Sequence, residues 1–192
     1  WLHAGSRITY SQGFGVGNRK IELIGEGYFE VKRNEEVPFL VKTNSLLVKV
    51  LGTKFNFRDY PDDAEAIVSL SEGKVALNNL LKKEKEAFLL PNERVVLNKK
   101  NGRMHVEYST VSNALQWTNG YLFFDEELLP DVVKELERSY NVKIQIASDT
   151  LNTFRFYGNF VHREQNIQEV LEALSATRKI HYIIEGHNIT LY

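Results

Sequence analysis

The chain has 192 residues, of which 43% are hydrophobic and 11% aromatic, so it can bury a large core and is not a disordered polypeptide. The formal net charge of −1 argues against a nucleic-acid-binding protein with a broad basic face. The sequence contains no cysteine, which excludes disulfides and thiolate metal sites, and it contains no run of about 18 apolar residues that could span a membrane.

The sequence pattern changes near residue 110. Up to that point the chain carries 17 Lys and Arg against 14 Asp and Glu, a net +3, whereas residues 111–192 carry 7 against 11, a net −4. Strand-like segments recur before the change, and helix-period segments appear after it. We therefore predict a β-rich domain at residues 1–110, of sandwich or barrel type, and a small α+β domain at residues 111–192.

The first domain contains a series of short strand-like segments separated by turn residues such as Pro61 and Gly102. The spacing of these segments, with no helix-period window among them, is typical of a sandwich or barrel. In chain order, the segments are Leu2–Tyr10, Lys20–Val31, Pro38–Lys42, Leu46–Leu51, Lys54–Tyr60, Ala66–Leu70, Lys74–Leu77, Ala87–Leu89, Arg94–Asn98 and Arg103–Tyr108.

The segment Lys20–Val31 has the clearest pattern, a period of two that predicts a half-buried strand with one wet face. The apolar parity consists of Ile21, Leu23, Phe29 and Val31. The parity that we expect to face water includes Lys20, Glu22, Glu26 and Glu30. Gly25 and Gly27 interrupt the apolar row, and they indicate a bulge or the close approach of another backbone.

Two amphipathic helices are predicted in the second domain. The apolar faces consist of Leu129, Val132, Val133, Leu136 and Tyr140, and then of Ile167, Val170, Leu171 and Leu174. Pro130 lies in the first turn of the first helix, where its missing N–H is tolerated. Asn166 and Glu169 have the spacing of a capping pair at the start of the second helix.

The two helices belong to an internal repeat, because an offset of 38 residues maps Leu129 onto Ile167 and the flanking strands onto one another. This repeat predicts two βαβ copies that form a small sheet with both helices on one face. The first copy consists of the strand Tyr121–Phe124, the first helix and the strand Val142–Ala147. The second copy consists of the strand Arg155–Val161, the second helix and the strand Ile180–Ile184. A last strand follows at Ile189–Tyr192.

Few residues are arranged for chemistry. The loop Gly13–Gly17 precedes a strand, whereas a phosphate-binding loop needs a helix N-terminus. His181, Glu185 and His187 could bind zinc, but a solvated hairpin is the commoner interpretation of such residues.

The acidic residues around Pro61 could bind calcium, but a solvated turn is the commoner interpretation. The alternating charges of Lys82–Glu86 are also typical of a solvated turn.

Aromatic residues at the start of the second domain leave one ligand-binding alternative open. Such a group could form a sugar-stacking platform, although it is more often core. Its members are Trp117, Tyr121, Phe123 and Phe124. We predict no catalytic residue, no cofactor and no metal site, because the sequence offers no nucleophile elbow, no cysteine nucleophile and no distinctive carboxylate pair.

Several segments of both domains together match the pattern of one known family. In the first domain, these segments are Trp1–Ser6, Gly25–Val31, Pro38–Thr43, Val50–Asn56, Tyr60 and Val68–Val75. In the second domain, they are Gly120–Phe124, Leu129–Val142 and the Phe156-x-Gly158-x-Phe160 pattern. With these segments the chain resembles the FecR-like anti-sigma regulators of Gram-negative bacteria, with a C-terminal domain as in the Bacteroidetes members. The repeated second domain also resembles the small signalling domain of TonB-dependent transporters and of secretins.

The resemblance implies a periplasmic region of a single-pass inner-membrane protein. Its expected partner is the signalling domain of an outer-membrane TonB-dependent transporter, and its expected output is the control of an extracytoplasmic-function sigma factor. A cytoplasmic segment and a membrane helix, both absent from these 192 residues, would contact the sigma factor and the membrane. No contact with nucleic acid is expected.

The first candidate for a binding surface lies on the strand Arg155–Val161, since strand addition at a sheet edge is a common recognition mode. An ordinary exposed surface is the commoner interpretation of such residues. Arg155, Tyr157 and Asn159 share one parity of this strand, whereas Phe154, Phe156 and Phe160 share the other and are expected in the core. Two alternatives are a carbohydrate-binding β-sandwich and a hydrolase whose site is assembled from distant residues.

Overall fold

The computed structural model describes residues 1–109, 115–176 and 178–192. These residues form two compact units, Trp1–Thr118 and Asn119–Tyr192. Each unit has a hydrophobic cluster of its own. The predicted domain boundary between residues 110 and 111 lies outside the described residues.

The first unit is built from strands. Every strand segment predicted after Tyr10 overlaps an observed strand, because the apolar alternation that defines it matches the burial pattern. The observed strands of the described residues are β1 (Arg7–Tyr10), β2 (Arg19–Glu30), β3 (Phe39–Lys42), β4 (Leu46–Val50), β5 (Lys54–Asp59), β6 (Glu65–Glu72), β7 (Val75–Asn79), β8 (Ala87–Leu89), β9 (Glu93–Asn98) and β10 (Met104–Tyr108).

The ten strands form one sheet that curves into a nearly closed, barrel-like wall around the first hydrophobic cluster. Their order is β10-β9-β6-β5-β2-β3-β4-β7-β8, and β1 pairs with β2 outside this path. The strand pairs are antiparallel, apart from the parallel pair β2–β3. The prediction of a β-rich, barrel-like first domain is therefore confirmed.

Strand β2 changes partners halfway along its length. Its first half pairs with β1 and β3, whereas Gly25–Glu30 pairs with β5. The change falls at Gly25, whose φ of 100° lies in a region that side chains rarely allow. A Cβ at this position would lie only 2.8 Å from the Ser6 Cα. The predicted close approach of another backbone is therefore confirmed at Gly25.

Lys20, Glu22 and Glu30 are exposed as predicted for the wet face of β2. Glu26 is the exception, because this residue is only 5% exposed. Asn56 donates a hydrogen bond to its carboxylate at 2.7 Å, and the Arg58 guanidinium lies 3.6 Å away. The N–H of His3 also donates to the backbone oxygen of Glu26, so the N-terminal segment lies along this edge of the strand. Polar partners therefore replace water around a carboxylate that alternation assigns to the surface.

The predicted strand Leu2–Tyr10 is wrong in its first half. Leu2 forms only an isolated bridge with Gly27, and the chain then turns at Ala4–Gly5, where Gly5 has a φ of 70°. Strand β1 begins only at Arg7. The turn is favoured because glycine adopts positive φ without steric cost.

The second unit alternates strands and helices. Both predicted helices are present, and Pro130 and the Asn166–Glu169 capping box occupy the predicted positions. A short 3-10 turn, Gln116–Asn119, precedes the first strand, and another, Asp149–Thr153, precedes the third. The described elements are β11 (Tyr121–Leu128), α1 (Leu129–Tyr140), β12 (Lys143–Ile146), β13 (Arg155–Val161), α2 (Ile167–Ser175), β14 (Tyr182–Glu185) and β15 (Asn188–Leu191).

The prediction of two βαβ copies in one sheet is not confirmed. The repeated order of strand, helix and strand is present, but the two strands of each copy do not pair with each other. Strand β11 pairs antiparallel with β13, and a separate sheet has the order β12-β15-β14. The repeat therefore exchanges strands between its copies, an arrangement that periodicity cannot specify because pairing is a tertiary property.

Helix α1 ends at Asn141, which has a φ of 52° and closes the helix in the left-handed conformation.

No helix in the described part of the chain has both the length and the apolar character needed to cross a membrane.

Candidate functional site

Strands β11 and β13 form a two-stranded antiparallel ribbon that has one buried and one exposed side. Alternation places one parity of each strand on the core side. The residues buried on that side are Leu122, Phe124, Phe156 and Phe160. The predicted core role of Phe156 and Phe160 is thus confirmed.

The exposed side of this ribbon, which we call the ribbon face, consists of Tyr121, Phe123, Arg155, Tyr157 and Asn159. All three residues predicted as a binding surface lie on it, and Tyr157 is 61% exposed. Phe123 lies directly opposite Asn159 in the register, and 37% of its surface is exposed. The structure therefore adds an exposed aromatic ring to the predicted set.

A β-bulge interrupts β11 beside Tyr157. The register shifts between Phe124 and Glu127, so Asp125 and Glu126 together face Tyr157 alone. Glu126 has a φ of 60°, an uncommon conformation for a residue with a side chain. Bulges and positive φ values at non-glycine residues concentrate near functional sites, where they redirect side chains.

Arg155 and Tyr157 both contact the bulge. The Arg155 guanidinium donates a hydrogen bond from Nη1 to the backbone oxygen of Glu126 at 2.6 Å. Partial desolvation, and then a hydrogen bond to the Glu126 carboxylate, raise the pKa of the Tyr157 phenol above its usual range. The bulge therefore orients both side chains.

The second edge of β13 carries no strand among the described residues, since β11 and β13 form a sheet of two. The N–H of His162 donates to the backbone oxygen of Gly120, and the N–H of Val161 is capped by the Gln165 side chain at 2.8 Å. Because N–H groups alternate between the two edges of a strand, the N–H of Asn159 points away from β11. This edge can accept another strand.

Gly158 allows the core side of β13 to pack closely. The rings of Phe156 and Phe160 stack with planes 5° apart, and a Cβ at position 158 would lie 2.6 Å from the Phe156 ring. A side chain cannot occupy this space without displacing one ring. Glycine at the centre of the Phe-x-Gly-x-Phe pattern is therefore a packing requirement.

The glycine loop does not form a phosphate site. A Cβ at Gly13, Gly15 or Gly17 would meet nothing within 4 Å, and the next element is strand β2 rather than a helix. The amides and dipole of a helix N-terminus are therefore missing from this loop.

His181, Glu185 and His187 lie in or beside the β14–β15 hairpin. Among residues 1–109, 115–176 and 178–192, no group of three or more His, Cys, Asp or Glu side chains is placed to hold a metal ion.

The acidic turn around Pro61 is not fully solvated, which corrects the interpretation of these residues as a solvated turn. Asp59 is 5% exposed, and the Lys99 ammonium lies 2.7 Å from its carboxylate. Asp63 accepts a hydrogen bond from Arg58 at 2.9 Å. These carboxylates are therefore paired with cations of the same unit. The charged run Lys82–Glu86, by contrast, is exposed as predicted.

The four aromatic residues considered as a sugar platform do not lie on one surface. Trp117 donates a hydrogen bond to Asn56 at 3.2 Å and packs against His3, within the first unit. Phe124 is buried, whereas Phe123 lies on the ribbon face. A platform of all four rings is therefore excluded, although Phe123 and Tyr157 remain exposed on one surface.

Sequence models and solved structures both relate the chain to known proteins. Residues 1–76 match the sequence model described as FecR protein, and residues 121–191 match the model described as FecR, C-terminal. Two crystal structures of a candidate anti-sigma factor from Parabacteroides distasonis ATCC 8503 are each 32% identical to the chain, with a TM-score of 0.88. They cover 100% of this chain, which in turn covers 88% and 87% of theirs. No curated protein matches the chain.

Proposed function

The chain belongs to the FecR family of anti-sigma factors, and we propose that it is the periplasmic, signal-transducing part of such a regulator. In this role it relays the state of an outer-membrane TonB-dependent transporter to an extracytoplasmic-function sigma factor. The relay works by protein–protein binding and requires no catalysis by this chain.

The observation that carries the proposal is the ribbon face together with the open edge of β13. Two exposed aromatic rings, an arginine and an unpaired strand edge lie within one small surface. Tyrosine and arginine are the residues that most often dominate binding energy at protein interfaces. We propose that the signalling domain of the transporter binds here.

Strand addition is the recognition mode that fits this geometry. A strand of the partner would pair with the main chain of β13 at its open edge, and its alternate side chains would meet Tyr157 and Asn159. The bulge of β11 disturbs the opposite edge of the ribbon, whereas β13 is regular over its seven residues. The β13 edge is therefore the better template.

The sigma factor would be bound elsewhere in the parent protein. We propose that a cytoplasmic segment makes that contact and that one membrane helix connects it to the periplasmic region. The 192 residues would then report transporter binding through the membrane without meeting the sigma factor.

We expect Tyr157→Ser to weaken binding of a purified transporter signalling domain about tenfold or more, as measured by titration calorimetry. The matched control is Tyr10→Ser, which removes a tyrosine of similar exposure, 65% against 61%, from the first unit. Both variants should keep the wild-type melting temperature, since both rings are largely exposed. Equal affinity of the two variants would contradict the ribbon face as the binding surface.

A second pair of variants separates backbone pairing from side-chain contact. Asn159→Pro removes the N–H that points away from β11, whereas Asn159→Ala removes only the side chain. Proline is tolerated where a strand's N–H faces solvent. Strand addition predicts a much larger loss of binding in Asn159→Pro than in Asn159→Ala, which loses only a side-chain contact; equal binding by both variants would exclude it.

The exposed rings Phe123 and Tyr157 favour a second candidate function, carbohydrate binding. They lie on one surface and in diagonal positions of neighbouring strands, a distance of roughly 7–8 Å that a sugar ring can bridge. Heat of binding with a glycan, but none with the transporter domain, would replace the first proposal by this one.

A further inference from the structure

The part of the first unit's sheet made of β2, β3, β4, β7 and β8 has one buried side and one open side. Opposed residues of neighbouring strands share a side, so the register gives the composition of each. The buried side includes Ile21, Val41, Val48, Leu77 and Leu89. The open side consists of one row, Lys20, Leu40, Lys49, Ala76 and Phe88, and a second row, Glu22, Lys42, Leu47 and Asn78.

We call this open side the basic face. Lys20, Lys42 and Lys49 are all exposed on it, on three successive strands. In the part of the chain that the structure describes, no ion pair joins any of the three to a carboxylate. Glu22 is the one acidic residue in the two rows. Lysines so close together repel one another, so this surface lowers its free energy when it meets negative charge.

Two further cations extend the basic face at its ends. Arg7 lies on β1 opposite Ile24, which shares the side of Glu22. At the other end, Lys74 holds its ammonium 4.6 Å from the centre of the Phe88 ring. Phe88 is 50% exposed, and β8 is the last strand of the sheet. The edge of the face therefore pairs an exposed aromatic ring with a cation.

The type and spacing of the cations on the basic face indicate which kind of partner it binds. The cations of the two rows are all lysines, which act as point charges and lack the planar fork with which arginine binds a carboxylate in two places. They are spread over neighbouring strands roughly 4.8 Å apart rather than gathered in a groove. Leu40 and Leu47 are half-buried between them. A diffuse negative potential suits this arrangement better than fixed carboxylates.

We propose that the basic face docks the protein on the surface of an anionic lipid bilayer. The lysines meet the headgroups, and Phe88 sits at the boundary of the headgroup and acyl regions, where aromatic residues are favoured. The docking does not depend on the partner of the ribbon face, which lies on the other unit.

The test is co-sedimentation of the 192-residue chain with vesicles of phosphatidylcholine alone or with 30% phosphatidylglycerol. We expect binding only to the anionic vesicles, with a loss at high salt because ions screen the lysines. The variant Lys20→Glu/Lys42→Glu/Lys49→Glu should bind about a hundredfold less, since each lysine near an anionic surface contributes roughly fivefold.

The matched control is Lys83→Glu/Lys85→Glu/Lys100→Glu, which changes the net charge equally at exposed positions outside the basic face. It should keep most of the binding. An equal loss in both triple variants would overturn the proposal, because net charge alone would then explain the binding. The proposal also fails if an acidic protein or a nucleic acid retains the chain while the anionic vesicles do not.

Discussion

Gly25 has no space for a side chain. A Cβ on this residue would lie 2.4 Å from the Ser6 hydroxyl oxygen and 2.8 Å from the Ser6 Cα, and the φ of 100° adds backbone strain. The Ser6 hydroxyl accepts a hydrogen bond from the N–H of Glu26 at 2.8 Å, so the serine cannot move away without losing this bond. Close approach of two backbones explains the glycine at the point where β2 changes partners.

We expect Gly25→Ala to lower the free energy of unfolding by about 2 kcal/mol or more, from steric overlap and positive φ together. Urea denaturation followed by tryptophan fluorescence would measure it. Gly13→Ala is the control, because a Cβ there meets nothing within 4 Å and its φ is not positive. A wild-type midpoint for Gly25→Ala would refute the packing argument.

At the scale of single elements, helix α2 depends on its first turn. The Asn166 side chain accepts a hydrogen bond from the N–H of Glu169 at 3.1 Å, and the Glu169 carboxylate accepts one from the N–H of Asn166 at 2.7 Å. This reciprocal box satisfies two donors that no helical carbonyl can reach. The helix has only nine residues, so its start carries much of its stability.

Asn166→Ala should therefore lower the stability of the second unit by about 1 kcal/mol. Helical circular dichroism during urea unfolding reports this change, because α1 and α2 both belong to this unit. Asn152→Ala provides the comparison, since Asn152 is exposed and starts no helix. If both asparagine variants unfold alike, the capping box contributes nothing measurable.

At the scale of the whole molecule, the two units have separate hydrophobic clusters and separate spectroscopic reporters. Both tryptophans, Trp1 and Trp117, belong to the first unit, whereas both helices belong to the second. Val68 is fully buried in the first cluster and Val132 in the second. The same substitution can therefore be made in either core and observed by a different signal.

Val132→Ala should lower the midpoint seen by helical circular dichroism by an amount corresponding to about 2 kcal/mol, with a smaller change in tryptophan fluorescence. Val68→Ala should produce the reverse pattern. Coincident shifts of both signals in both variants would show instead that the two units unfold as one cooperative structure.

The sequence alone determined the local structure of this protein. The strands of the first unit and both helices follow from alternation and helical periodicity, and the capping box follows from two residues three positions apart. The exposure of Arg155, Tyr157 and Asn159 was likewise predictable, because neighbouring residues of one strand face opposite sides whatever the strand pairs with. These properties depend on residues close together in the chain.

Tertiary structure alone decided which distant residues meet. It buries Glu26 beneath the N-terminal segment, pairs β11 with β13 instead of β12, and places Phe123 beside the predicted surface. It also gathers Lys20, Lys42 and Lys49 on one face of a chain whose net charge is only −1. Strand pairing brings these groups together, and neither periodicity nor composition records which strands pair.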